Sequence, residues 1–423
     1  MKKYLYNLLS KYLSFYINET SSVIEIGNEK NTLLKKNIKC KEYKIINSPD
    51  TINSIDTPNY IILNGSIHYE KDIQNYLNKI HNKINHDSRL IIIYYSNLWR
   101  PFIKLASFLK LREKKPEENW ISHEDIYNLL SLNNLQLVRR DSKIIFPFYI
   151  PLLSYFINRY LAPLPFFRLF SLINFAIARS EKKENSNLKT LSIIVPARNE
   201  EGNIEEIVNK LPKFSDDDEL IFIEGNSKDN TWEKINEISH KYREVRKIII
   251  AQQDGKGKGD AVRKGFSLAT CDILMIYDAD MTVPPEDTIK FYNAIKENKG
   301  EFINGSRLVY PMEKEAMRFF NLIGNKFFAL SFSFTIGQKF KDTLCGTKVI
   351  SRKNYLKLIE NRKYFGEFDP FGDFDLIFGA SKLALKIIEI PIRYRERVYG
   401  STNISRWKHG MVLFIVRRIL LLV

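Results

Sequence analysis

The sequence predicts an α/β protein of two domains, and three features carry that expectation. Short β-rich runs alternate with helix-period segments in both halves of the chain, the pattern of a parallel sheet covered by helices. A polar stretch without periodicity, residues 181–189 (EKKENSNLK), separates the halves. The 423 residues, 44% apolar and 27% charged, suffice for two or three domains of ordinary globular composition. That composition excludes a disordered, collagenous or multi-span membrane chain. The expected organisation is a Rossmann-like first domain over 1–180, a linker over 181–189 and a second α/β domain over 190–423.

In the first half, residues 22–26 (SVIEI), 60–63 (YIIL) and 90–95 (LIIIYY) read as strands, with a helical pattern over 71–84. Residues 146–178 are rich in Phe, Leu, Tyr and Pro. Pro147, Pro151, Pro163 and Pro165 prevent one long helix there. The segment is expected to pack in the interior, with an interdomain or membrane-facing element as the alternative.

The second half has a cleaner pattern. Strands are expected at 191–195, ended by Pro196, and at 219–223, 245–251 and 273–277. Helices are expected at 200–211, 231–242 and 260–269. Four strands alternating with three helices over about 90 residues form a nucleotide-binding type of sheet.

Lys plus Arg number 65 against 49 Asp plus Glu, a formal net charge of +16. The first 190 residues hold 28 basic and 17 acidic residues, so most of the excess is in the first half. No dense basic block is present, and nucleic acid is not an expected partner. Attraction to an anionic membrane face or to phosphate-bearing substrates fits the charge. Three scattered cysteines, Cys40, Cys271 and Cys345, suit neither a disulfide scaffold nor a zinc site and favour a reducing compartment. The N-terminus does not read as a signal peptide, and no run reaches the roughly 20 apolar residues of a membrane span.

Asp278-Ala279-Asp280 follows the strongly apolar run 273–277. Ligands of open α/β sheets bind at the carboxyl ends of strands. Two carboxylates one residue apart are costly there unless a cation neutralises them. Mg²⁺ or Mn²⁺ carrying a nucleotide diphosphate would do so through oxygen ligands.

With Ser192-Ile193-Ile194-Val195-Pro196-Ala197-Arg198-Asn199-Glu200-Glu201, then 222–231 (FIEGNSKDNT), then 255–261 (GKGKGDA) and Asp278-Ala279-Asp280, the chain resembles a family 2 glycosyltransferase of the GT-A fold. The nearest subgroup is the polyprenyl-phosphate sugar synthases, such as dolichyl-phosphate mannose or glucose synthase. The resemblance spans about 190–423. It implies that Pro196, Arg198 and Glu200 line the nucleotide base and ribose, with Arg198 where the family usually has Tyr. Glu224 stands at a base-contacting position, and the departures Glu224, Gly225 and Asn226 leave the base open. Lys258 would meet the diphosphate; Asp278, Ala279 and Asp280 would bind metal and nucleotide sugar, with Thr282 as a third polar ligand.

On the acceptor side, Arg307 resembles the family's G-S-R step, suited to a phosphate contact. Residues 342–348 (DTLCGTK) resemble a D-x-x-x-G-x-K segment. Asp375, within 366–380 (GEFDPFGDFDLIFGA), aligns with an acid near the acceptor. It would act as base for a hydroxyl acceptor or orient groups for a phosphate. Arg397, Thr402 and Asn403 fall on an R-x-x-G-x-S-K segment, with Asn403 replacing Lys. Residues 319–336 and the tail after Trp407 have interfacial character, with domain packing as the alternative for the first.

Residues 22–27, 60–69 and 88–101 are similar to a class I S-adenosylmethionine methyltransferase. The glycines after Gly27 are missing and no ribose-binding acid is evident. A degenerate domain that does not bind S-adenosylmethionine is therefore expected, with a working methyltransferase as the alternative. The expected activity is metal-dependent, inverting transfer from a UDP- or GDP-sugar to a membrane polyprenyl phosphate. Alternatives are transfer to a glycan or small-molecule hydroxyl, a bifunctional enzyme, or a non-catalytic adaptor that kept the fold. The expected location is cytoplasmic, peripheral to the inner face of the cell membrane.

Overall fold

The computed structural model describes residues 2–27, 33–52, 58–110, 119–181, 188–310, 319–360, 373–397 and 399. They form two compact units, one ending at residue 181 and one beginning at residue 188.

The first unit contains α1 (Lys2–Leu13), β1 (Ser22–Ile26), β2 (Glu42–Ile46), β3 (Tyr60–Asn64), α2 (Ile73–Lys83) and β4 (Arg89–Tyr95). It continues with α3 (Arg100–Phe108), α4 (His123–Leu132), β5 (Leu135–Lys143), α5 (Leu153–Phe156), α6 (Pro165–Arg168) and β6 (Ile173–Ser180). Six strands run in the order β2-β1-β3-β4-β6-β5. The first four are mutually parallel, and β6 is antiparallel to both β4 and β5. The apolar runs of β3 and β4 are buried on both faces, as crossover helices require of a parallel sheet. Local signals start the helices. Asp72 accepts from the Asn75 amide at the head of α2, and Ser122 and Asp125 form a reciprocal capping box on α4.

Residues 146–178 correct the expectation of interior packing. The last part, β6, is interior, and every residue of it is buried. β5 and β6 are antiparallel neighbours paired at Lys143↔Ile173, so a short hairpin could have joined them. The 29 residues between them instead leave the end of the sheet, and residues 148–170 expose large apolar side chains. α5 runs on into a π-helical stretch, Ile157–Leu161, that ends before Pro163, and α6 is four residues long and opens on Pro165.

The second unit contains β7 (Leu191–Ala197), α7 (Ile204–Lys210), β8 (Glu219–Glu224), α8 (Thr231–Lys241), β9 (Lys247–Gln252), α9 (Lys258–Leu268) and β10 (Ile273–Ile276). After these come α10 (Thr288–Lys296), β11 (Phe302–Ser306), α11 (Phe319–Ile336), β12 (Lys348–Ser351), α12 (Arg352–Glu360), α13 (Asp373–Lys382) and β13 (Ile387–Pro391). The order is β13-β11-β12-β10-β7-β8-β9, with β12 alone reversed. The first four strands stand close to their expected positions. β7 runs through Pro196 to Ala197, because a proline so near the strand end removes a single ladder donor. The core centres on β7, β8 and β10, where Ile193, Val195, Phe222 and Met275 are fully or almost fully buried. α11 has buried Phe332 against Phe378 but leaves Leu330 exposed. No helix among the described residues is long and apolar enough to cross a membrane.

Candidate active site

The carboxylate pair lies in the loop leaving β10, next to the ends of β7 and β12. Buried Tyr277 fixes this loop by donating its hydroxyl to the Val283 carbonyl at 2.7 Å. Met281 takes a left-handed φ of 53°, which turns the chain sharply after Asp280.

Each acid meets a cation from a different element. Lys258, the first residue of α9, places Nζ 2.5 Å from Asp278 Oδ1. Arg397 donates from Nη2 to Asp280 Oδ2 at 2.7 Å and from Nη1 to Glu200 Oε1 at 2.9 Å. Thr282 donates its hydroxyl to Asp280 Oδ1 at 2.8 Å, so it braces that acid from behind. Burial pushes the Asp278 carboxyl up, but Lys258, with Lys348 and Arg307, more than offsets this and holds it below its ordinary range. Glu200 behaves in the opposite way. Burial pushes its carboxyl up to about 7, Arg397 pulling down and Asp280 pushing up.

Gly346 leaves room for the ends of two side chains. A Cβ there would fall onto the carboxylate of Asp278 and onto Lys258 Nζ. Gly257, with φ +86°, sets the chain at the start of α9, whose first turn carries Lys258. The 393–397 segment runs beside the acidic loop: the Arg395 amide donates to the Thr282 carbonyl at 2.9 Å, and Tyr399 packs over Gly202.

The structure therefore brings together Glu200, Lys258, Asp278, Asp280 and Arg397. Pro196 lies at the end of β7 and Arg198 is exposed just beyond it. Glu224 is buried and accepts from the Ser227 amide at 2.5 Å, an anchor for its own turn. Ala279 lies between the two acids, and its methyl group is buried in the core cluster. Arg307 is already paired with an acid. Its Nε and Nη2 fork the buried Asp342 carboxylate at 2.7 and 2.9 Å, and the guanidinium stacks on Tyr394 at 5.0 Å. A guanidinium so engaged braces β11 rather than offering an open fork to phosphate. Asp375 lies in the first turn of α13 with Arg263 Nη1 at 3.9 Å. Thr402 and Asn403 lie outside the described residues, as do Glu367, Asp369 and the tail after residue 400.

Four contributors had no sequence assignment: Arg263, Asn325, Tyr394 and Asp342 as the partner of Arg307. Asn325 carried a faint signal as a polar residue in a Phe-rich helix; it donates to Asp342 at 2.8 Å.

A mostly parallel sheet with acids gathered where a central strand ends defines an open-sheet, ligand-binding α/β domain. Residues 192–358 match the model of glycosyl transferase family 2, and the second unit is a glycosyltransferase domain of that family. The chain is similar to the UDP-N-acetylglucosamine–dolichyl-phosphate N-acetylglucosaminyltransferase of Methanococcus voltae, 29% identical over 55% of this chain and 96% of the relative. It is also similar to the dolichol-phosphate mannosyltransferase of Pyrococcus furiosus, 34% identical over 32% of this chain and 38% of the relative. Among solved structures, glucosyl-3-phosphoglycerate synthase from Mycobacterium tuberculosis in complex with UDP matches 57% of this chain and 85% of that one. The identity is 18% and the TM-score 0.40.

Proposed function

We propose that the second unit transfers a sugar from a UDP- or GDP-sugar to a membrane polyprenyl phosphate, with inversion, at the inner face of the membrane. The observation that carries this reading is the acid pair after β10, each acid held by a cation from a separate element. Two oxygen-donor side chains that already demand positive charge suit a divalent cation. No group of three His, Cys, Asp or Glu able to hold a metal occurs among the described residues, so phosphate oxygens and water would complete the shell. Asp278 and Asp280 would hold Mg²⁺ or Mn²⁺, which would neutralise charge on the leaving diphosphate.

Lys258 and Arg397 would turn from the acids to the diphosphate once the nucleotide sugar binds. Both have long side chains and stand on the rim of the acidic loop. The amides at the head of α9 add donors suited to an anion. A phosphate acceptor is already a nucleophile and needs no strong base, so Asp375 would orient groups and not abstract a proton. Arg307 would shape the floor of the site through Asp342. The relatives' acceptors, named dolichyl phosphate and dolichol phosphate, support the lipid side of this reading.

We also propose that the first unit is a degenerate methyltransferase-like domain. The strand order reverses at β1 and β3, where an open sheet would take a ligand. At that point the buried Glu25 is occupied by the Tyr43 hydroxyl at 2.7 Å and the Asn64 amide at 2.8 Å.

The test is transfer of radiolabelled sugar from UDP- and GDP-sugars into a lipid extract. Label should enter the organic phase, and Asp280→Asn should abolish this while the protein stays folded. Label remaining aqueous sinks the lipid acceptor; full turnover by Asp280→Asn sinks the metal assignment.

A further inference from the structure

The first unit exposes a large apolar surface. Exposed large apolar side chains crowd into two of its segments, five within 98–109 and thirteen within 148–170. Phe108 is 81% exposed and Leu152 86%. Soluble surfaces seldom gather so much apolar area in one place.

The two segments belong to one end of the sheet. β4 ends at Tyr95, which pairs with Ile173, and Ile173 pairs with Lys143 at the end of β5. The α3 segment and the 144–172 connection therefore emerge side by side. The Trp99 indole donates to the Phe170 carbonyl at 2.8 Å, joining them directly.

This shelf is built and held. Asn158 accepts from the amides of Ile145 and Phe146 at 3.1 and 3.0 Å and donates back to the Phe146 carbonyl at 2.7 Å. Arg168 ties it to the buried Asp141, which also takes Arg139 at 3.1 Å. Asn158 and Arg168 are bonded inward while the large apolar side chains face out.

Its charge has one sign. Residues 97–110 and 144–172 contain no Asp or Glu, and they carry Arg100, Lys104, Lys110, Arg159 and Arg168. The following residues 111–118 hold three of each sign and leave the balance unchanged. α1 adds Lys3 and no acid, with its Tyr4 ring 5.5 Å from Tyr149. Phe, Tyr, Trp and Leu amid cations are the composition of a surface that sits in the headgroup region of a bilayer.

We propose that this shelf of the first unit docks on an anionic lipid bilayer, with the apolar rings and leucines entering the interface and the lysines and arginines meeting lipid phosphates. Charge complementarity selects the bilayer over a protein partner or a second copy of the chain. The proposal assigns membrane attachment to the first unit and does not depend on which acceptor the second unit uses.

The test is sedimentation of the full-length protein with vesicles free of polyprenyl phosphate and nucleotide sugar. Phosphatidylcholine is compared with phosphatidylcholine–phosphatidylglycerol. The chain should partition onto the mixed vesicles. Lys104→Gln with Lys110→Gln should weaken this by about thirty-fold, from about 1 kcal/mol per cation near the surface, and leave phosphatidylcholine binding unchanged. Phe108→Ser with Leu152→Ser should weaken both without altering thermal unfolding. Absence of partition, or partition indifferent to Phe108 and Leu152, overturns the proposal. So does a dimer in solution that the Phe108 and Leu152 substitutions dissociate, which would make the shelf a contact between copies. Because no acceptor is present, these failures are separable from failure of sugar transfer.

Discussion

Removing Asp342 should destabilise the second unit by about 3–5 kcal/mol, the penalty for leaving a buried charge without its partner. The carboxylate is fully buried. It accepts from Arg307 Nε, Nη2 and backbone amide at 2.7, 2.9 and 3.0 Å, from Asn325 at 2.8 Å and from the Leu344 amide at 3.0 Å. Burial alone would push its carboxyl up, yet Arg307 and these donors hold it at about 2. That depression contributes stability on the order of a few kcal/mol. That stability is present above the unfolded carboxyl's pKa of about 4 and is lost as pH falls through about 2. Hydrogen exchange in β11 and β12 would measure it locally, and urea unfolding followed through Trp232, packed against the second unit's core, would measure it globally. Asp342→Ala should speed exchange in both strands and lower the unfolding midpoint. The double change Arg307→Met with Asp342→Leu should recover much of the loss, because no charge then stays buried. If Asp342→Ala leaves exchange and midpoint as they were, Arg307 is not a brace, and its phosphate role returns.

Glu200, with its carboxyl raised to about 7, should favour folding below about pH 4.5 and lose that contribution as pH rises through about 7. Glu200→Gln should flatten this part of the second unit's stability–pH curve; an unchanged slope means another group titrates. Gly346→Ala displaces the movable ends of Asp278 and Lys258, so calorimetry should show nucleotide-diphosphate affinity reduced about tenfold or more with little change in unfolding, whereas unaltered affinity would place the nucleotide elsewhere.

Much of the second unit was legible because its signals are local. Runs such as 191–195, 219–223 and 273–277 are apolar enough to be buried on both faces, and short polar turns bound them. The acids at 278 and 280 follow from strand position alone. In the first unit β2, β5 and β6 were less visible. β5 (LQLVRRDSK) carries Arg139 and Asp141 inward as a buried ion pair, which reads as a solvated face in sequence.

The amino-acid order by itself determined where β1, β3, β4 and β7 to β10 run, that the chain has two α/β halves, and that two acids close the β10 strand. Those features depend on period and on burial within a few residues. Only tertiary structure decided that Arg397 reaches Asp280 across 117 positions, that Asp342 takes Arg307, and that residues 148–170 face outward. Strand order makes those choices. β12, reversed between β10 and β11, lies one strand from each, so the loop before it carries Asp342 to Arg307 and Gly346 to Asp278. No spacing along the chain encodes which charge meets which once neighbours come from opposite ends of a sheet.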